Sequence, residues 1–236
     1  MAFQYKAPDE ILSTFNALVI GGPGSGKTSL MATVPDGDTV CCLSAEGGLL
    51  SVKDYVLAGI VHEYPIGSVG DLWEGLNALK TEPFRDRYQW VFLDSLTEMA
   101  AICKKELEDK GAGQPLDFKG WGTYDRTMAA LVRSFRDLTS HYNVIVICAE
   151  SIEYDDLKCR FIAPAMPGKN LKELLPHIFD EVFHAEVEPD KSGQSVYQLR
   201  TRKCSGRPAK DRSGKLNEIE TPNLAQIRAK ILGEVK

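Results

Sequence analysis

One stretch, LVIGGPGSGKTSL from residue 18 to residue 30, constrains this chain more than any other. An apolar strand runs into a turn where Gly21, Gly26, Lys27 and Thr28 keep the spacing Gly-x-x-x-x-Gly-Lys-Thr, and helix-compatible sequence follows from Lys27. In such a turn Gly21, Gly24 and Gly26 let backbone N–H groups turn inward around a β-phosphate, Gly22, Pro23 and Ser25 complete the loop that holds it, and the next helix N-terminus adds a field that favours anions. Lys27 is placed to reach the β and γ oxygens, and the Thr28 hydroxyl to hold Mg²⁺, with Ser29 completing the contact set. The competing reading is an ordinary glycine turn ahead of a helix. A strand before and a helix after favour the phosphate cradle strongly.

Downstream, apolar runs rich in β-branched residues alternate with helical patterns. ALVI (17–20), TVCCL (39–43), VHEYPI (61–66), WVFLD (90–94) and NVIVICA (143–149) read as strands. DLWEGLNALK (71–80), TMAALVRSFRDLTS (127–140) and the final NLAQIRAKILGEVK read as helices, and KGAGQPLDFKGWG (110–122) as a loop. This alternation implies parallel strands joined by crossover helices, hence an α/β sheet covered on both faces. After residue 179, DEVFHAEVE and SVYQLRTRK flank the turn PDKSG, an expected antiparallel hairpin extending the sheet. With 236 residues and 43% hydrophobic content, the chain can bury one substantial core, and a single domain over 1–236 is the simplest expectation.

Composition removes several classes. The net charge of −5 argues against a nucleic-acid field over the whole surface, though not against a local basic patch. Six cysteines form no Cys-x-x-Cys pair and no zinc-like spacing with the four histidines, so reduced, packed thiols are expected at Cys41, Cys42 and Cys148. No apolar run is long enough for a bilayer, and MAFQYKAPDE has no secretory pattern, so a soluble cytoplasmic protein is expected.

Two carboxylates are candidate partners of the loop. Asp94 ends WVFLD, where it should emerge at the carboxyl edge of the sheet and support Mg²⁺ from the outer shell or through water. Glu46, in SAEGG after TVCCL, should emerge at the same edge and polarise a water in line with the γ-phosphate, with Gly47 and Gly48 leaving room for it. A helix cap and a solvated loop carboxylate are the respective alternatives. An Asn-Lys-x-Asp guanine-reading stretch is missing, which argues against a GTPase.

The succession of Gly-loop, TVCCLSAEGGL, WVFLDSLTEM and NVIVICAES resembles the RecA-type ATPases. The resemblance implies a RecA-like P-loop NTPase core, mostly parallel sheet flanked by helices, with ATP and Mg²⁺ as ligands. It makes Glu46 the water-activating residue, Asp94 the magnesium-strand carboxylate followed by Ser95, and Glu150 the counterpart of a γ-phosphate sensor that is usually Gln. PAKDRSGKL (208–216) looks like the Lys-x-Arg motif of RadA recombinases and DnaB-type helicases, which implies that Lys210 and Arg212 act in a neighbouring subunit's site. A guanidinium can bridge two phosphate oxygens as charge develops there. The broadest likeness, over about residues 15 to 232, is to phage-encoded proteins of this class, including RadA-like proteins linked to single-strand annealing. It implies a DNA-stimulated ATPase forming a ring or filament on single-stranded DNA in the host cytoplasm, with a single-strand-binding protein as a further partner.

Candidate DNA-facing segments are 110–122 and 151–172, the latter mixing Lys158, Arg160, Lys169 and Lys172 with Tyr154 and Phe161 against Glu153, Asp155 and Asp156. Trp121 and Tyr124 offer either a base platform or core packing. Residues 200–215 form the one concentrated basic run. A replication accessory of helicase or loader type, and an ATP-gated protein-binding scaffold, use the same phosphate motifs and stay open as alternatives.

Overall fold

The computed structural model describes residues 13–204 and 206–234. Strands β1 (Asn16–Gly21), β2 (Val40–Ser44) and β4 (Trp90–Asp94) are buried at every position, as are the first six residues of β5 (Asn143–Tyr154). Such continuous apolar runs belong in the middle of a sheet whose two faces are both covered. β3 (Val61–Pro65) alternates instead, and it lies at the edge. β7 (Glu181–Pro189) pairs in parallel with β1 and antiparallel with β8 (Ser195–Arg200), forming the expected hairpin. The path across the sheet is β10 (Ile219–Glu220), β8, β7, β1, β5, β4, β2, β3. The short strands β6 (Arg160–Pro164) and β9 (Lys210–Asp211) pair with β5 and β7.

Because side chains alternate across a strand, each face collects its own core. Leu18, Ile20, Cys41, Leu43, Val144 and Val146 meet helices α2 (Val69–Ala78), α4 (Leu96–Lys110), α5 (Phe118–Asp137) and α6 (Asn170–Ile178). Ala17, Val19, Val40, Cys42, Phe92 and Ile147 meet Leu30, Met31, Leu49 and helix α7 (Leu224–Leu232) on the other face. Two short helices, α1 (Lys53–Leu57) and α3 (Glu82–Arg87), flank β3 and β4 in the chain. Cys41, Cys42 and Cys148 are free and buried, and burial pushes the Cys41 thiol up to about 12. The architecture is therefore a mostly parallel α/β sheet between helical layers, with an antiparallel hairpin on the far side of β1.

Three elements differ from expectation. The helix after the phosphate loop is a six-residue 3-10 turn, Thr28–Thr33. It stops where Val34 turns extended ahead of Pro35, as a residue before proline tends to do. α5 begins at Phe118 rather than residue 127, because Asp117 accepts the Gly120 N–H at 2.7 Å and caps it. β5 continues to Tyr154, where pairing with β6 turns part of the supposed loop 151–172 into a hairpin. Among the described residues no helix is long and apolar enough to cross a membrane. MAFQYKAPDE lies outside the described residues.

Candidate active site

β1 delivers the chain to the carboxyl edge of the sheet, where residues 22–27 form the loop. Gly24 (φ +73°) and Gly26 (φ +82°) occupy left-handed backbone that side-chain-bearing residues rarely adopt. Gly26 has a second reason: a Cβ there would lie 3.2 Å from the Tyr197 ring of β8. Ser25 Oγ donates to the Gly22 carbonyl at 2.9 Å, and Lys27 Nζ donates to the carbonyls of Gly21 (2.9 Å) and Gly22 (2.7 Å). Since the 3-10 turn that follows is short, little macrodipole backs the cradle, and anion affinity has to come from the loop N–H groups and Lys27.

β5 lies between β1 and β4, so the loop and the Asp94 strand end stand one strand apart at the same edge. Thr28 Oγ1 donates to Asp94 Oδ2 at 2.8 Å and closes that gap. β2 borders β4, and the N–H of Ala45 donates to the Asp94 carbonyl at 2.7 Å, which brings the following Glu46 inward. Ser95 Oγ donates to Glu46 Oε1, so the residue after Asp94 orients the carboxylate that follows β2. Gly47 sits at φ +65°, and a Cβ on Gly47 or Gly48 would meet nothing within 4 Å. Backbone conformation, rather than space for water, therefore explains the glycine at 47.

Lys27, Thr28, Glu46, Asp94 and Ser95 line one cleft of about 820 Å³, and Tyr197 and Pro222 line it too. Burial pushes the Asp94 carboxyl above its usual range, with Glu46 adding to the effect and the Thr28 hydrogen bond opposing it. Burial likewise lowers the Lys27 ammonium, against the pull of Asp94, Glu46 and Glu150. Desolvation outweighs the mutual attraction at both ends, as expected where a site is built to exchange water for charged ligands.

The donor set fits Mg²⁺. A hydroxyl and a carboxylate oxygen meet at Thr28 and Asp94, and among the described residues no group of three or more His, Cys, Asp or Glu forms a metal cage. Mg²⁺ takes one or two protein oxygens and fills its octahedron with water and phosphate, so a sparse site suits it. The left-handed glycines and the adjoining lysine fit a polyphosphate.

The other candidates are dispersed. Glu150 stands beside the loop, with Oε1 3.3 Å from a Cβ built on Gly22, and its Oε2 meets His184 Nε2 at 2.7 Å. Lys210 and Arg212 lie at the opposite end of the sheet: Lys210 pairs with Val182, near the start of β7, whereas Gly21 pairs with Ala185. Lys210 Nζ donates to the carbonyls of Pro176 and Phe179, and Arg212 pairs with Asp180. Neither reaches the loop of its own chain. The basic run 200–215 is partly neutralised, since Arg200 pairs with Glu186 and Glu218. Tyr124 is fully buried and stacks edge-on with Trp121, which makes it a core residue and not a base platform.

Sequence reasoning missed Tyr197, Pro222 and His184. Only pairing between distant segments brings them to the loop, and no local spacing signals that. Taken together, the sheet order, the glycine loop and the converging carboxylates define an α/β P-loop nucleotide-binding protein. A family model described as an AAA domain matches residues 14–213, and the chain belongs to that family of P-loop ATPases. No curated protein matches the sequence.

Proposed function

We propose that the chain is a Mg²⁺-dependent ATPase of the RecA-like kind that works as an assembly on single-stranded DNA. The observation that carries the ATPase reading is the convergence of Lys27, the Thr28–Asp94 pair and the Ser95–Glu46 pair in one cleft. Lys27 turns from the loop carbonyls to the β and γ oxygens. Thr28 and Asp94 hold the metal, which when bound neutralises charge on those oxygens. Glu46, aimed by Ser95, orients the attacking water and accepts its proton. Tyr197 and Pro222 give the base an apolar wall.

Support for the DNA part is the β5–β6 hairpin, which rises beyond the same sheet edge and exposes Tyr154 and Arg160. A second reading is favoured by Ile152 and Leu157, which are 52% and 84% exposed on that hairpin: an ATP-gated contact with a protein partner.

Glu46→Gln should retain ATP binding and lose turnover by about a hundredfold or more, the scale of a lost general base. Hydrolysis at the wild-type rate in that variant would remove Glu46 from the chemistry. Adding single-stranded DNA should raise the wild-type rate in a salt-sensitive way. An ATPase rate indifferent to DNA, without retention on it, would favour the protein-partner reading.

A further inference from the structure

Glu150 places a carboxylate against the outer side of the phosphate loop at Gly22. Lys27 already feels Asp94 and Glu46, so a third negative charge beside the loop would add repulsion to a bound polyphosphate. The structure sets a buried imidazole against it. His184, on β7 and 4% exposed, holds Nε2 2.7 Å from Glu150 Oε2 and Nδ1 3.1 Å from Glu186 Oε1. With a carboxylate at each ring nitrogen, only the doubly protonated ring donates to both, whereas a neutral ring turns a lone pair toward one of them.

Glu186 has cations of its own. Arg200 Nε donates to its Oε1 at 2.6 Å, and Arg207 Nε stands 3.8 Å away. Burial alone would raise the Glu186 carboxyl, yet hydrogen bonds from Arg200 and His184 hold it below its usual range. Glu150, by contrast, pairs with no lysine or arginine among the described residues, and its ion-pair partner is His184. Glu150 is therefore the carboxylate that His184 alone is placed to balance.

We propose that His184 is a positioning residue for nucleotide binding: as an imidazolium it fixes and neutralises Glu150, so the loop is flanked by a carboxylate without net charge. The charged groups facing this pair are Glu186 and Glu188 on the same strand, Arg160 from β6, Arg200 from β8, Arg207 from the segment that follows and Lys27 from the loop. The proposal rests on the reading of the loop as an ATP site. It also accounts for an acid at the position where the resemblance to RecA-type ATPases implies an amide, since an acid–imidazolium pair carries a similar net charge.

The test is titration calorimetry of ATP and ADP with wild type, His184→Ala, Glu150→Gln and the double variant, each checked for a native unfolding transition. His184→Ala should weaken ATP binding about tenfold or more, from one uncompensated charge near the loop, and weaken ADP binding less. In the Glu150→Gln background the same change should cost no more than about threefold, because the charge it balanced is gone. Equal losses in both backgrounds, or no loss in either, would overturn the proposal. If His184→Ala does not fold, His184→Gln in both backgrounds makes the same comparison, since it keeps a donor without the charge. A wild type that binds ATP while staying indifferent to residue 184 refutes this inference alone. A wild type that binds no ATP refutes the loop reading and this inference with it.

Discussion

Glu181 is fully buried at the start of β7, beneath the sheet edge opposite the phosphate loop. Its Oε1 accepts the Ser213 N–H at 3.1 Å, while Oε2 finds no hydrogen-bond partner among the described residues. Burial, helped by Asp211 and Asp180, raises the carboxyl from 4.5 to about 8. At this site the folded protein therefore holds a proton that the unfolded chain releases near pH 4.5, so the contribution of Glu181 to stability is fully present below that pH and is lost as pH rises toward 8. The ceiling on that loss is about 5 kcal/mol, and neighbouring carboxyls will share it. Glu181→Gln should match wild type near the acid end of this window and unfold at higher temperature than wild type above it. Thermal unfolding across the window checks this, and parallel pH profiles for the two proteins would show that Glu181 folds in charged.

The β7–β8 hairpin is the element that completes the cleft. It carries His184 to one side of the loop and Tyr197 to the other, against Gly26. If Tyr197 faces the base, Tyr197→Ala should weaken ATP by about tenfold, in line with roughly 1–3 kcal/mol per stacked base, and leave inorganic tripolyphosphate almost unaffected. Equal losses for both ligands would assign Tyr197 to loop packing instead. The hairpin also marks where sequence reading stops. β1, β4 and the start of β5 were legible because each is an unbroken apolar run, and the loop because its chemistry is local. Asp94 and Glu46 were legible as strand-end carboxylates. Tyr197 was not, since an exposed tyrosine on a strand near the end of the sheet carries no sign of what it will face across the sheet. The start of α5 was hidden by Pro115, Gly120 and Gly122, which read as loop although Asp117 caps a helix there.

At the scale of the whole molecule, the loop and the Lys210–Arg212 segment occupy opposite ends of the β1–β7 pair. A residue so placed can serve a phosphate site only in another copy, through a head-to-tail contact, and repetition of that contact gives a ring or a filament. Lys210 is committed to the carbonyls at the end of α6, and burial lowers its ammonium below the usual lysine range. Arg212 is the better candidate: its side chain is 59% exposed, and its ion pair with Asp180 is of the surface kind that costs little to exchange. Lys210 then fixes the segment from which Arg212 projects. Arg212→Ala should bind ATP normally and hydrolyse it slowly, while Lys27→Ala should fail at binding. Mixed in equal amounts, about a quarter of head-to-tail contacts would join an intact loop to an intact Arg212, so a matching fraction of turnover should return. Light scattering on the same mixtures reports assembly. Assembled mixtures that recover no activity at any ratio would confine Arg212 to its own chain.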